Sequence, residues 1–115
     1  MMIEKLVLDW LTARGYAAYT TVPRERPAVF VSIEATGGGG ADMVATPLLT
    51  VDCWAASRGQ ACALADEVKC ALLQDTRAGN VAGVGLAVVN AEPYWAPDPD
   101  SRAPRYRMLF EITHA

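Results

Sequence analysis

Three stretches of this chain alternate apolar and polar residues with a period of two, a pattern that only a sheet with one buried face and one wet face satisfies. In residues 105–113, Tyr106, Met108, Phe110 and Ile112 alternate with Arg105, Arg107, Glu111 and Thr113. In residues 48–55, Leu49, Val51 and Cys53 alternate with Thr50, Asp52 and Trp54. In residues 28–36, Val29, Val31 and Ile33 alternate with Ser32 and Glu34. The spacing predicts an open sheet face carrying Glu34, Asp52, Trp54, Arg107 and Glu111.

The buried face needs a cover, and two helical periodicities supply it. Ile3, Leu6, Val7, Trp10 and Leu11 recur at helical spacing over residues 2–14, and Gly15 stands where a C-cap glycine belongs. Ser57, followed three residues later by Gln60, opens a second helix that runs to near Asp75. Its stripe of Ala61, Leu64, Ala65, Val68 and Leu72 is narrow and mostly small, which suits close packing on a sheet. Two further strands are expected over residues 17–22 and 81–92, the latter with Gly83 and Gly85 near its start as a bulge or a close approach. The element order is α-β-β-β-α-β-β over a single domain, residues 1–115. Short connections predict neighbouring strands paired as hairpins, giving an α+β fold with a mainly antiparallel or mixed five-stranded sheet and both helices on one face. Residues 93–104 hold four prolines and are expected to be irregular.

Composition narrows the function. A chain of 115 residues with 52% apolar residues can bury one core without staples, and a net charge of −3 gives no overall field for nucleic acid or an anionic membrane. No apolar run reaches the roughly 20 residues of a membrane span, and the N-terminus lacks a signal-peptide profile, so an intracellular protein is expected. Cys53, Cys62 and Cys70 are odd in number, match no zinc spacing, and read as free thiols in a reducing compartment.

Catalytic patterns are hard to assemble from these residues. The one histidine, His114, is next to the C-terminus, and Ser57 is a helix cap with no imidazole to activate it. Cys53 alternates with core residues, and Cys62 and Cys70 have only Arg58 and Lys69 near them, so no thiol has the positive surroundings of a nucleophile. Gly37, Gly38, Gly39 and Gly40 run into Ala41-Asp42-Met43 and not into the Gly-Lys-Ser/Thr of a P-loop, while Gly83-Val84-Gly85 is a bare GxG. Asp98-Pro99-Asp100 opens like a calcium loop, but Arg102, Ala103 and Leu109 stand where ligands and glycine are needed. No enzyme, cofactor or metal site is expected.

What remains is contact chemistry. Arg24 and Arg26, with Arg102, Arg105 and Arg107, would form a small basic patch if their loops meet. Arginine beside aromatics such as Trp54, Tyr94 and Trp95 marks protein contact surfaces. The glycine loop Gly37–Gly40 is expected to be mobile and to order on a partner.

Segments spread over nearly the whole chain carry a resemblance. Val22-Pro23-Arg24-Glu25-Arg26-Pro27 precedes Val29-Phe30-Val31-Ser32-Ile33 and Thr36-Gly37-Gly38; Leu49-Thr50-Val51-Asp52-Cys53-Trp54-Ala55 then leads to Ala61-Cys62-Ala63-Leu64-Ala65-Asp66-Glu67-Val68. The chain resembles the tail terminator (tail completion) proteins of long-tailed bacteriophages and prophages, departing from them at Ala35, where many relatives carry a basic residue. The resemblance implies a homo-oligomeric ring, typically a hexamer, that caps the tail tube, stops its polymerisation and offers a surface to the head–tail connector. It implies a structural virion protein, present in the bacterial host cytoplasm during assembly and then in the tail, with no cofactor. Another neck or head–tail joining protein, or a small regulatory module binding nucleic acid through its arginines, are the alternatives.

Overall fold

The computed structural model describes residues 2–36 and 47–114. Helix α1 (Met2–Ala13) is followed by β1 (Ala18–Tyr19), β2 (Phe30–Thr36), β3 (Leu48–Trp54), α2 (Arg58–Arg77), β4 (Val84–Trp95) and β5 (Arg105–His114). The fold is α+β, with two helices and a five-stranded mixed sheet in the expected order, β1 being only two residues long.

Local chemistry sets the helix ends. Past α1, Gly15 takes φ +94°, Gly15 N donates to Thr12 O at 3.0 Å and Tyr16 N to Leu11 O at 3.1 Å. That is a Schellman turn, which a side chain at Gly15 would strain. At α2, the Ser57 hydroxyl accepts from Gln60 N at 3.2 Å, as the capping spacing predicts. The buried stripe of α2 is Ala61, Leu64, Ala65, Val68, Ala71, Leu72 and Thr76. Small residues let the helix lie close to β3, β4 and β5. Trp10 Nε1 and Arg14 Nη1 both donate to Asp75 Oδ2, at 2.8 and 3.0 Å, and tie the two helices together.

The sheet order is β1-β2-β3-β5-β4. The simple run of hairpins expected from short connections is therefore corrected in two places. β1 lies parallel to β2, and β5 is inserted between β3 and β4. The cause is α2: a helix of 20 residues carries the chain across the core face, so β4 emerges one strand beyond its neighbour and β5 fills the gap. Phe110, Met108, Ile112, Val31, Ile33, Leu49, Val51 and Cys53 form the buried face under Ile3, Val7 and Leu11 of α1 and the stripe of α2. Among the described residues no helix lies against the other face. No helix among the described residues is long and apolar enough to cross a membrane.

β4 extends further than expected. Residues Pro93, Tyr94 and Trp95 belong to it, paired as Tyr94 with Arg107 and Trp95 with Tyr106. Proline is tolerated because β4 is an edge strand, where one set of backbone N–H groups has no ladder partner to lose. Register shifts between Val89 and Ala91 and between Ala91 and Tyr94 accommodate the change.

Candidate functional site

Four of the residues singled out for contact, Arg26, Trp54, Arg105 and Arg107, gather at the end of the open sheet face where β2 begins and β3 ends. Phe30 and Trp54 are cross-strand partners, with rings stacked at 5.1 Å, and Tyr19 meets Phe30 edge-on at 5.9 Å. Arg26 and Arg105 lie over Trp54 at 5.1 and 5.0 Å from its centroid. Trp54 Nε1 donates to Ser32 Oγ at 2.9 Å. Trp54 is only 3% exposed and Asp52 8%, so neither stands on an open surface as the alternation suggested. The reason is that loops 20–29 and 96–104 fold over this end of the sheet, and period-two patterning records face but not what the loops cover.

The arginines beside Trp54 are committed to carboxylates. Arg107 Nε and Nη2 donate to Asp52 Oδ1 and Oδ2 at 2.8 and 3.1 Å, a bidentate pair across the β3–β5 ladder. That hydrogen bonding holds the Arg107 guanidinium charged, with its pKa raised further. Arg105 Nη1 is 3.9 Å from Asp52 Oδ2 and 4.0 Å from Asp98 Oδ1, and its Nε donates to Ala96 O at 2.7 Å. Arg26 Nη1 lies 3.8 Å from Asp98 Oδ2 and donates to Ser101 Oγ at 3.2 Å. The loops carrying Arg26 and Arg102 therefore do meet, but Asp52 and Asp98 neutralise the centre of the patch. The hydroxyl and backbone N–H of Ser101, then Arg105 and Arg26, keep the Asp98 carboxyl below its usual pKa. The proline-rich segment is thus an ordered strap, with Ala96 N donating to Arg105 O and Asp98 N to Ala103 O, at 3.0 and 3.1 Å.

Arg24 and Arg102 stay exposed and pair with no carboxylate among the described residues. Arg102 adopts φ 60°, an uncommon conformation for a side-chain-bearing residue. Tyr94 is exposed on the open face, whereas Trp95 is half-buried on the helix side, with Arg58 over its ring at 4.7 Å and Tyr106 at 5.7 Å. Gly37, Gly38, Gly39 and Gly40 lie outside the described residues.

A cleft of about 380 Å³ beside the cluster is lined by Thr20, Thr21, Ser32, Glu34, Thr50 and Asp52. It has hydroxyls and carboxylates but no imidazole or thiol that could activate them. Among the described residues no group of His, Cys, Asp or Glu has the arrangement of a metal site. Cys53 is buried, which pushes its thiol well above the ordinary range, while Cys62 and Cys70 are exposed and free.

Two features escaped the sequence reading. One is the role of Asp52 and Asp98 as counter-charges; the arginine clusters signalled a need for them, but the pairing is long-range. The other is the apolar open face of β4. Leu86 and Val88 are exposed while Ala87 between them is buried. The run Leu86-Ala87-Val88-Val89 is apolar on both faces, a signal of double-sided burial that the monomer satisfies on one side only. The chain matches no protein-family model and no curated protein sequence significantly.

Proposed function

We propose that this chain is a structural assembly protein of the tail-terminator kind. It would form a ring that caps the tail tube of a long-tailed phage or prophage, stops tube polymerisation and presents a surface to the head–tail connector. The observation that carries the reading is the row of three exposed large apolar side chains, Leu86, Val88 and Tyr94, on the sheet face of one edge strand. A monomer gains nothing from exposing that row, and a subunit of an assembly buries it. Two dissimilar sheet edges, the two-residue β1 and the twelve-residue β4, also suit the head-to-tail contacts of a ring better than a two-fold dimer. The neutralisation of Arg26, Arg105 and Arg107 tells against the nucleic-acid reading, because phosphate contacts need uncommitted cations. The work of the molecule would be contact and not catalysis, done in the host cytoplasm during assembly and in the finished tail.

Two measurements test this. Light scattering across a concentration series, with electron micrographs, is expected to find a multi-subunit ring with a central hole, either alone or on addition of tail-tube ends. Tube protein polymerised with this chain present is expected to give short, capped tubes. Tubes of unchanged length at saturating amounts of the chain sink the reading.

A further inference from the structure

The following inference rests on the ring reading and names its surfaces. Four large apolar side chains are exposed among the described residues: Val29 at 47%, Leu86 at 42%, Val88 at 47% and Tyr94 at 44%. Leu86 and Val88 project from the open face of β4, since Ala87 between them is buried and Val88 stands opposite Glu111. At this end of the face, Glu111 and Glu34 are exposed and pair with no cation among the described residues, whereas Arg107 and Asp52 satisfy each other. Residues 79–91 carry no charge at all. Two such faces brought together would set carboxylate against carboxylate, so a two-fold pairing of this patch with itself is opposed by its own charge.

The opposite corner of the same sheet has the complementary chemistry. Val29 is exposed just before β2, in the loop that carries Arg24, and the neighbouring strap carries Arg102. Neither arginine pairs with a carboxylate among the described residues. The corner also holds Glu25 and Asp100, so the guanidinium forks and the Val29 side chain, not net charge, would make the contact. Phe30 pairs with Trp54 at this end of β2 and Thr36 pairs with Leu48 at the other, roughly 20 Å away along the strand. Three strand spacings, about 14 Å, separate β2 from β4 across the sheet. The two surfaces are therefore diagonally opposite.

We propose that the Leu86–Val88–Glu111 face of one copy receives the Arg24–Val29–Arg102 corner of a second copy of this chain. The contact is heterologous: each subunit gives one surface and takes the other, so addition continues until rotation closes a ring. Each surface is one corner of a strand framework of about 20 by 14 Å, so a single contact is at the weak end for protein contacts. Closure, in which every subunit makes two contacts, is what holds the assembly.

The test uses the full chain with Cys62→Ser and Cys70→Ser, leaving only buried Cys53. Val29→Cys and Val88→Cys are introduced separately, and a short bismaleimide is applied. The mixture of the two variants is expected to give a cross-linked dimer, each variant alone little or none, and the double variant a ladder ending at the ring size. Cross-linking of Val88→Cys alone as strong as the mixture overturns the proposal in favour of two-fold pairing. A ring by light scattering with no cross-link leaves the ring reading intact and refutes these surfaces. A strict monomer at every concentration overturns the proposal, and tube capping alone then decides the function. As a second readout, Glu111→Lys is expected to raise the half-assembly concentration about tenfold and Arg24→Glu in the same chain to restore it within about threefold. Failure of that rescue removes the Arg24 contact.

Discussion

Replacing Trp54 by alanine separates a contact residue from a fold residue. Trp54 is 3% exposed, stacks on Phe30 at 5.1 Å and lies under Arg26 and Arg105. Truncating a buried tryptophan costs about 3–5 kcal/mol through lost transfer energy and the cavity left behind. The bond from Nε1 to Ser32 Oγ contributes about 1 kcal/mol more, and the two cation–π contacts about 0.5–1 kcal/mol each. Loops 20–29 and 96–104 lie over the ring and can settle into part of the space, so the net expectation is about 4 kcal/mol. For a chain of 115 residues that is a fall in Tm of roughly 15 °C. Urea unfolding at pH 7, followed by circular dichroism, gives the difference from the midpoint and slope. Trp54→Phe, which keeps the stacking area and loses the N–H bond, should cost about 1–1.5 kcal/mol. A Trp54→Ala variant within about 1 kcal/mol of wild type refutes the argument, because an exposed contact residue behaves that way and a buried one does not.

Three further outcomes are expected. The Asp98 carboxyl has its folded pKa depressed by Ser101, so its stabilisation is present above the unfolded value of about 3.9 and is lost as pH falls through the folded value; Asp98→Asn should melt lower at pH 7 and show a shallower decline between pH 4 and 2, and parallel melting profiles would falsify the link. A Cβ at Gly85 would sit 2.8 Å from His114 O and 2.6 Å from Thr113 Oγ1, so Gly85→Ala should lose about 1–3 kcal/mol by prising β4 from β5, whereas Gly59→Ala, with open space and a helical site, should gain about 0.5–1 kcal/mol; equal effects in a thermal melt would contradict this. A colorimetric thiol assay at pH 8 should count two fast thiols, Cys62 and Cys70, and a third only after unfolding, because burial raises the Cys53 thiol out of reach; three fast thiols would mean that the sheet core opens.

Much of the fold was legible because its signals are local. The stripe Ala61, Leu64, Ala65, Val68 and Leu72, the Ser57 cap and the Gly15 stop are read from residues within one or two turns of each other, and all three are found. The alternation in β3 and β5 likewise identified the buried face, down to Met108, Phe110 and Ile112. Strand order was not legible. Nothing in residues 105–114 says that β5 enters between β3 and β4, since that choice depends on where a 20-residue helix returns the chain.

The candidate site divides in the same way. Residue types alone pointed to arginines and aromatics as the active chemistry of the surface, and the chain does bring Arg26, Trp54, Arg105 and Arg107 together. That these arginines are not free was decided by tertiary structure, because Asp52 reaches Arg105 and Arg107, and Asp98 reaches Arg26, across more than 50 residues of chain, and an ion pair at such separation leaves no local pattern. Sequence by itself determined the faces of each strand and helix, for these follow from backbone periods of two and 3.6. Only the packed chain decided which faces stay open, because burial is a property of what folds over a surface. That is why Trp54 turned inward under its loops while Leu86 and Val88 stayed exposed.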